Sequence, residues 1–321
     1  MNNQNHTITR RNFLNSASLL TTGILLDPKH LFAQVQSPVI TIMKAAATAK
    51  INVTKLRGNI SILEVSGGNI AVFDGPEGKL MVDAGIGVSK PNVSAALRSV
   101  GHNPLKYLVN THWHFDHADG NEWIHDAGAT IIAHENTRKH LANSVRVEDW
   151  NYTFPQAPKG ALPTVLVKTD HPMKFNRETI HIEYYTPAHT DCDLSVYFTH
   201  ADVLHVGDTF WNGYYPFIDY STGGSIDGAI QAAKNNVAMT SSNTIVIPGH
   251  GPVGNRSQLV AFRDMLIDIR GKVAILKQQG KSINEIIAAK PTANYDAKWG
   301  ASLLKATFLP GWFITEYKTK P

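Results

Sequence analysis

Residues His112-Trp113-His114-Phe115-Asp116-His117 place four ionisable side chains in one short stretch of a 321-residue chain. In an extended segment, alternating His112 and His114 project to the same side, while Asp116 and His117 fall in the turn that follows. Neutral imidazoles and carboxylates are natural ligands of zinc and related divalent ions. Packed together without a cation, such groups would repel one another or lose hydration with no return. The motif therefore points to metal chemistry. The single cysteine, Cys192, excludes an intrachain disulfide framework and a cysteine-based zinc site within one chain, so any metal rests on histidine and carboxylate. Fifteen histidines supply that need; taken singly, His102, His125, His134, His140, His171, His181, His200 and His205 read as structural or surface residues.

The elements that must position this cluster are legible as short apolar runs between turn residues. Strands are expected at Ile60-Val65, Ile70-Asp74 and Leu80-Val82, joined as hairpins through Ser66-Gly67-Gly68-Asn69 and Gly75-Pro76-Glu77-Gly78. A helix is expected from Ser89 to Val100, with Pro91 in its first turn, and the strand Tyr107-Val109 then leads directly into the histidine motif. Further strands are expected near Ile131 and at Ile180-Tyr185, Leu194-Phe198, Val203-Val206 and Thr244-Ile247. Helices are expected at Ser225-Met239 and Gln258-Gln279; the latter carries Val260, Phe262, Leu266, Ile269, Val273 and Leu276 at roughly helical spacing. Strand clusters interrupted by helices suggest two packed sheets with helices outside. The segment Glu148-Pro172 lacks periodicity and reads either as a loop over an active site or as an irregular structural cover. No repeat or long linker divides the chain beyond Gln34, and residues 34–321 read as one domain.

The His-x-His-x-Asp-His motif after a strand resembles the metallo-β-lactamase superfamily. Further matches follow in that family's order: Met81-Val82-Asp83-Ala84-Gly85, His189-Thr190, Gly207-Asp208-Thr209 and Pro248-Gly249-His250-Gly251. The resemblance runs from about Gly58 to His250 and implies an α/β (α+β) fold, a four-layer αββα sandwich. It implies that His112, His114 and His189 hold one metal, that Asp116, His117 and His250 hold another, and that Asp208 bridges both. Asp83 is then expected to position a ligand or its loop from behind. The implied cofactors are two zinc ions, with manganese or iron compatible with the same carboxylate-bridged arrangement. Two such cations can lower the pKa of a shared water and polarise a carbonyl, while Asp116 orients the nucleophile and passes a proton to the leaving group.

The family's cysteine-type zinc β-lactamases carry, three residues beyond the ligand corresponding to Asp208, a lysine that receives the drug carboxylate; this chain has Trp211 there. Part of the aromatic run Phe210-Trp211-Asn212-Gly213-Tyr214-Tyr215-Pro216-Phe217 is expected to line the substrate entrance, which favours a compact organic substrate; Tyr214 or Tyr215 reads either as a donor to an oxyanion or as a cap on the core, the favoured reading. The expected activity is hydrolysis of a small cyclic amide or ester, β-lactams included. Thioester cleavage of the glyoxalase type and a non-catalytic metal-binding role beside an exported redox enzyme are the alternatives.

The composition agrees with a small-molecule partner. Hydrophobic residues make up 43% and charged residues 17% of the chain, and the formal net charge is +4. Arg10, Arg11, Lys29 and Asp27 account for about half of that surplus, which leaves too little to argue for nucleic acid. The N-terminal Thr9-Arg10-Arg11-Asn12-Phe13-Leu14, an apolar stretch from about Ser16 to Leu26, and Leu31-Phe32-Ala33-Gln34 resemble a twin-arginine export signal. Residues 1–33 are thus expected to direct export, for example to a periplasm, and to leave no stable membrane anchor after processing; the apolar stretch is too short for an ordinary membrane span.

Overall fold

A computed structural model describes residues 37–300; the expected export signal lies outside them. After α1 (Pro38–Ala46) the chain forms β1 (Asn52–Lys55), β2 (Ile60–Glu64), β3 (Ile70–Gly75) and β4 (Gly78–Val82), then α2 (Lys90–Val100), β5 (Leu105–Val109), α3 (Phe115–Ala118), α4 (Asn121–Asp126), β6 (Thr130–His134) and α5 (Glu135–Leu141). A small hairpin, β7 (Val145–Val147) and β8 (Tyr152–Phe154), precedes β9 (Val165–Val167). The second half contains β10 (Asp170–Phe175), β11 (Glu178–Tyr184), β12 (Leu194–Phe198), β13 (Val203–His205), α6 (Ile226–Met239), β14 (Ile245–Ile247), β15 (Gly254–Asn255), α7 (Arg256–Gln278), α8 (Ile283–Ala288) and α9 (Asp296–Trp299).

Strands β1 to β6 and β9 form one sheet in that spatial order, and β10 to β15 form a second. The expected hairpins are present: β2, β3 and β4 pair antiparallel, Ile62 facing Ala71 and Phe73 facing Leu80. After α2 the pairing turns parallel, β4 to β5 to β6 to β9. Part of the segment Glu148-Pro172 thereby acquires a role that periodicity could not announce, because a strand as short as Val165–Val167 carries almost no alternation signal.

Alternation along the strands explains the layers. Ile60, Ile62, Phe73, Leu80 and Val82 meet Ile180, Val196, Phe198, Val203 and Ile247 between the sheets. The intervening Leu63, Ile70, Val72 and Met81 point the other way, onto Val93, Ala96 and Leu97 of α2 and Ile124 of α4. On the far side, Leu204, Val206 and Val246 pack against Ile226, Ala233, Phe262, Leu266 and Ile269 of α6 and α7. Strands covered on both faces must be apolar at nearly every position, which is why they read as continuous hydrophobic runs. Helix α7 starts at Asn255, whose side chain accepts from the Ser257 and Gln258 amides while Gln258 reaches back to the Asn255 amide. The result is the expected αββα sandwich.

Candidate metal centre

The cluster sits where several strands end. β4 runs into Asp83, β5 into the segment 110–117, β13 into Asp208 and β14 into His250, while His189 lies on the connection between β11 and β12. Ligand atoms of His112, His114, His189 and Asp208 lie within 4.8 Å of one another, and those of Asp116, His117 and His250 form a second group under the same limit. Asp208 spans the two: its Oδ2 is 3.4 Å from His189 Nε2 and 3.3 Å from His250 Nε2, and its Oδ1 is 3.1 Å from His117 Nε2. Asp116 Oδ2 lies 3.3 Å from His250 Nε2 and 3.7 Å from His117 Nε2. First and second sheets thus contribute ligands to one site.

The groups behind the ligands decide which nitrogen of each ring faces inward. His189 Nδ1 lies 2.7 Å from the Phe217 carbonyl, an acceptor, so Nδ1 donates and Nε2 is left bare toward the cluster. His117 Nδ1 donates in the same way to Asp83 Oδ2 at 2.8 Å. The Thr111 hydroxyl donates to that Asp83 oxygen at 2.7 Å and can then only accept from His112 Nδ1, 3.0 Å away. Asp83 therefore orients two imidazoles, one directly and one through Thr111, while its Oδ1 accepts from the Thr111 amide at 2.7 Å. It does so from a left-handed backbone conformation, φ 65°, which an aspartate tolerates better than most residues and which the surrounding hydrogen bonds hold.

The donor set fits divalent cations on evidence independent of the spacing. His112 Nε2 is buried without a hydrogen-bond partner, and His117 Nε2 and Asp208 Oδ1, though 3.1 Å apart, are not aligned as a hydrogen bond; such a state costs about 1–3 kcal/mol per group unless something else satisfies it. His189 Nε2 and His114 Nδ1 lie 2.9 Å apart; with their outward nitrogens donating, two facing lone pairs at that distance repel unless a proton or a cation lies between them. Burial, reinforced by the nearby His117, holds the His112 pKa well below its ordinary value and keeps the ring a neutral donor. At His117 burial pulls the same way, yet the carboxylates of Asp208, Asp116 and Asp83 outweigh it and raise the pKa well above the ordinary value. Close packing around the donors needs glycine at two points: a Cβ on Gly249 would collide with Asp208 Oδ1, and one on Gly68 would collide with the His117 ring.

The profile of the Metallo-beta-lactamase superfamily matches residues 63–259, the stretch that holds every one of these candidate ligands. The chain belongs to this superfamily. A hydroxyacylglutathione hydrolase of Polaromonas sp. (strain JS666) is 26% identical over 163 residues, a match spanning 50% of this chain and 54% of that one. The chain thus spans about half the length of this curated relative. Among solved structures, a stereoselective inverting sec-alkylsulfatase from Pseudomonas sp. superposes with a TM-score of 0.64 at 14% identity, covering 87% of this chain and 52% of that one. A metallo-beta-lactamase from Pontibacter korlensis superposes with a TM-score of 0.55 at 19% identity, covering 68% of this chain and 100% of that one. These likenesses establish the sandwich fold.

Within this metallo-beta-lactamase scaffold, all seven residues expected as ligands come together. Asp193 accepts from the Thr190 amide at 2.9 Å and from its hydroxyl at 2.6 Å, and the acceptor behind the His189 ring is the Phe217 carbonyl. Cys192 is fully buried beside the Thr190 hydroxyl, as a structural residue would be. The aromatic run divides. Phe210 and Tyr215 lie in the core, Tyr215 donating to Asp296 Oδ1 at 2.8 Å, while the Trp211 ring tilts over His250 at 4.2 Å. Trp150, from the segment with no periodicity, stacks on Phe217 and stands 4.8 Å from the His114 ring. Asp219, whose Oδ2 lies 2.9 Å from His114 Nε2, is a partner that no motif or spacing announced. Only the proximity of an acid to the aromatic run hinted at it.

Proposed function

We propose that the chain is a dinuclear zinc hydrolase acting on a small cyclic amide or ester, β-lactams among its substrates. The observation that carries this reading is the convergence of seven donors into two groups joined by Asp208, with three ligand atoms otherwise unpartnered. His112, His114, His189 and Asp208 would hold one ion, and Asp116, His117, His250 and Asp208 the other. Such a pair would supply Lewis acidity toward a carbonyl and would lower the pKa of a water. The protein's own part is to aim the imidazoles, through Asp83, Thr111 and the Phe217 carbonyl, and to move a proton. Asp116 Oδ2 is the atom suited to that transfer, because it stands at the rim of the donor set with a side chain 12% exposed, whereas Asp208 is 2% exposed. Trp150 and Trp211 supply an apolar wall for a compact substrate.

A second reading, thioester hydrolysis of the glyoxalase type, draws support from the hydroxyacylglutathione hydrolase match. The test is metal analysis of the purified protein with a panel of β-lactams, lactones, thioesters and phosphodiesters. We expect two zinc equivalents and turnover of the lactam or lactone members, lowered roughly 10²- to 10⁴-fold in Asp116→Ala. Turnover confined to thioesters would select the second reading, and two bound metals without turnover on any member would favour a non-catalytic metal-binding role.

We further propose export by the twin-arginine route, on the strength of Arg10-Arg11 and the apolar stretch after them. A prefolded reporter fused to residues 1–40 should leave the cytoplasm and should stay there when both arginines become lysine; export of the double-lysine fusion would refute the assignment.

A further inference from the structure

The second histidine of the motif is held the opposite way round from its neighbours. His112, His117 and His189 each turn Nδ1 outward, to Thr111, Asp83 and the Phe217 carbonyl respectively. His114 turns Nε2 outward, 2.9 Å from Asp219 Oδ2, and presents Nδ1 to the cluster, 2.9 Å from His189 Nε2. An ionised carboxylate only accepts, so Asp219 requires the proton of His114 on Nε2 and leaves Nδ1 bare. Asp219 is itself fixed on every side: Oδ2 also accepts from the Thr222 hydroxyl at 2.6 Å, Oδ1 accepts from the Ser221 amide at 3.0 Å, and its own amide donates to the His189 carbonyl at 2.8 Å. Thr222 Oγ1 in turn accepts from the Trp113 indole at 3.2 Å, which ties this network back to the residue preceding His114. The residue is 1% exposed, so the interaction is shielded from water.

We infer that Asp219 is the positioning residue that sets which nitrogen of His114 faces the metal, and that the segment from Phe217 to Thr222 acts as one clamp on both His114 and His189. The inference rests on the dinuclear reading proposed above. It distributes the work behind the ligands unequally: Asp83 serves His112 and His117, whereas Asp219 and the Phe217 carbonyl serve the ion held by His114 and His189. Loss of such a carboxylate partner typically weakens metal binding by roughly 10- to 100-fold. Asp219→Asn keeps the shape of the side chain while removing the charge that demands an Nε2 proton.

The experiment is a competition titration with cobalt(II), followed by its visible absorption, on the full wild-type chain and on Asp219→Asn. We expect two equivalents in the wild type; in the variant, one ion should be retained with unchanged affinity and the other weakened roughly 10- to 100-fold, with an altered cobalt spectrum. Equal affinity for both ions and an unchanged spectrum in a folded variant would overturn the inference. Nitrogen-15 NMR of the wild-type imidazoles reads the same point without any substitution, and covers a variant that does not fold. A His114 signal with the proton on Nε2 supports the inference, and one with the proton on Nδ1 overturns it. Failure of the wild type to bind two ions is a separate outcome, because it removes the dinuclear reading itself.

Discussion

At the scale of single residues, the centre is poised between protons and metal. In the metal-free protein burial opposes charge on His250, but Asp208 and Asp116 outweigh it and bring its pKa to about 9. His117 is raised in the same direction for the same reason. Both imidazoles therefore carry a proton at neutral pH that a metal must displace. The sign of the linkage follows. A histidine whose folded pKa is raised contributes stability below its ordinary value of about 6.5, and that contribution is lost as pH rises toward about 9. We expect the melting temperature of metal-free protein to fall over this window, whereas metal affinity rises over it. Parallel melting and metal titrations between about pH 6 and about pH 9 check both slopes; a metal-free melting temperature that climbs with pH would contradict the assignment of protons to His117 and His250.

At the scale of elements, stability and site are separable. Helix α7 buries Phe262, Leu266, Ile269 and Val273 against the outer face of the second sheet and carries none of the candidate ligands itself. Leu266 is fully buried, and its truncation to alanine should destabilise the fold by about 2–5 kcal/mol, the usual range for a filled core position that cannot collapse. Denaturant unfolding measures that loss. Metal stoichiometry of the folded variant should stay at the wild-type value, because none of the seven candidate ligands lies on α7. A variant that lost metal at full stability would show that α7 positions the site. The hairpin strands and the long helices were legible in the sequence because doubly covered strands and amphipathic helices carry strong periodic signals. Strand β9 and the β7–β8 hairpin were not, since three-residue strands depend on neighbours far away in the chain for their pairing.

At the scale of the whole molecule, the two sheets meet at the candidate metal centre as well as in the core. His112, His114, Asp116 and His117 follow a strand of the first sheet, and His189, Asp208 and His250 follow strands of the second. Bound cations would therefore staple the sheets together at their open end. Removing them with a chelator should lower the unfolding free energy by an amount set by mass action, about 4 kcal/mol for each ion whose free metal had stood at a thousand times its dissociation constant. Secondary structure, which the interior between the sheets maintains, should persist. Calorimetry with and without chelator measures the shift, and an unchanged melting temperature would mean that the donors do not bridge the sheets through metal.

The superfamily and the layering were written in the sequence itself. The histidine motif, the other ligands in their family order and the alternating apolar runs each depend on neighbouring residues, so local spacing records them. What stands behind the ligands was decided only by the tertiary structure. Asp219 meets His114 across 105 positions of chain, the Phe217 carbonyl meets His189 across 28, and Asp83 meets His117 across 34. Such contacts arise when loops from two sheets close on one another, and a backbone carbonyl has no side-chain identity for a sequence to display. The proton positions that leave each imidazole free to hold a metal therefore follow from the folded arrangement of those loops.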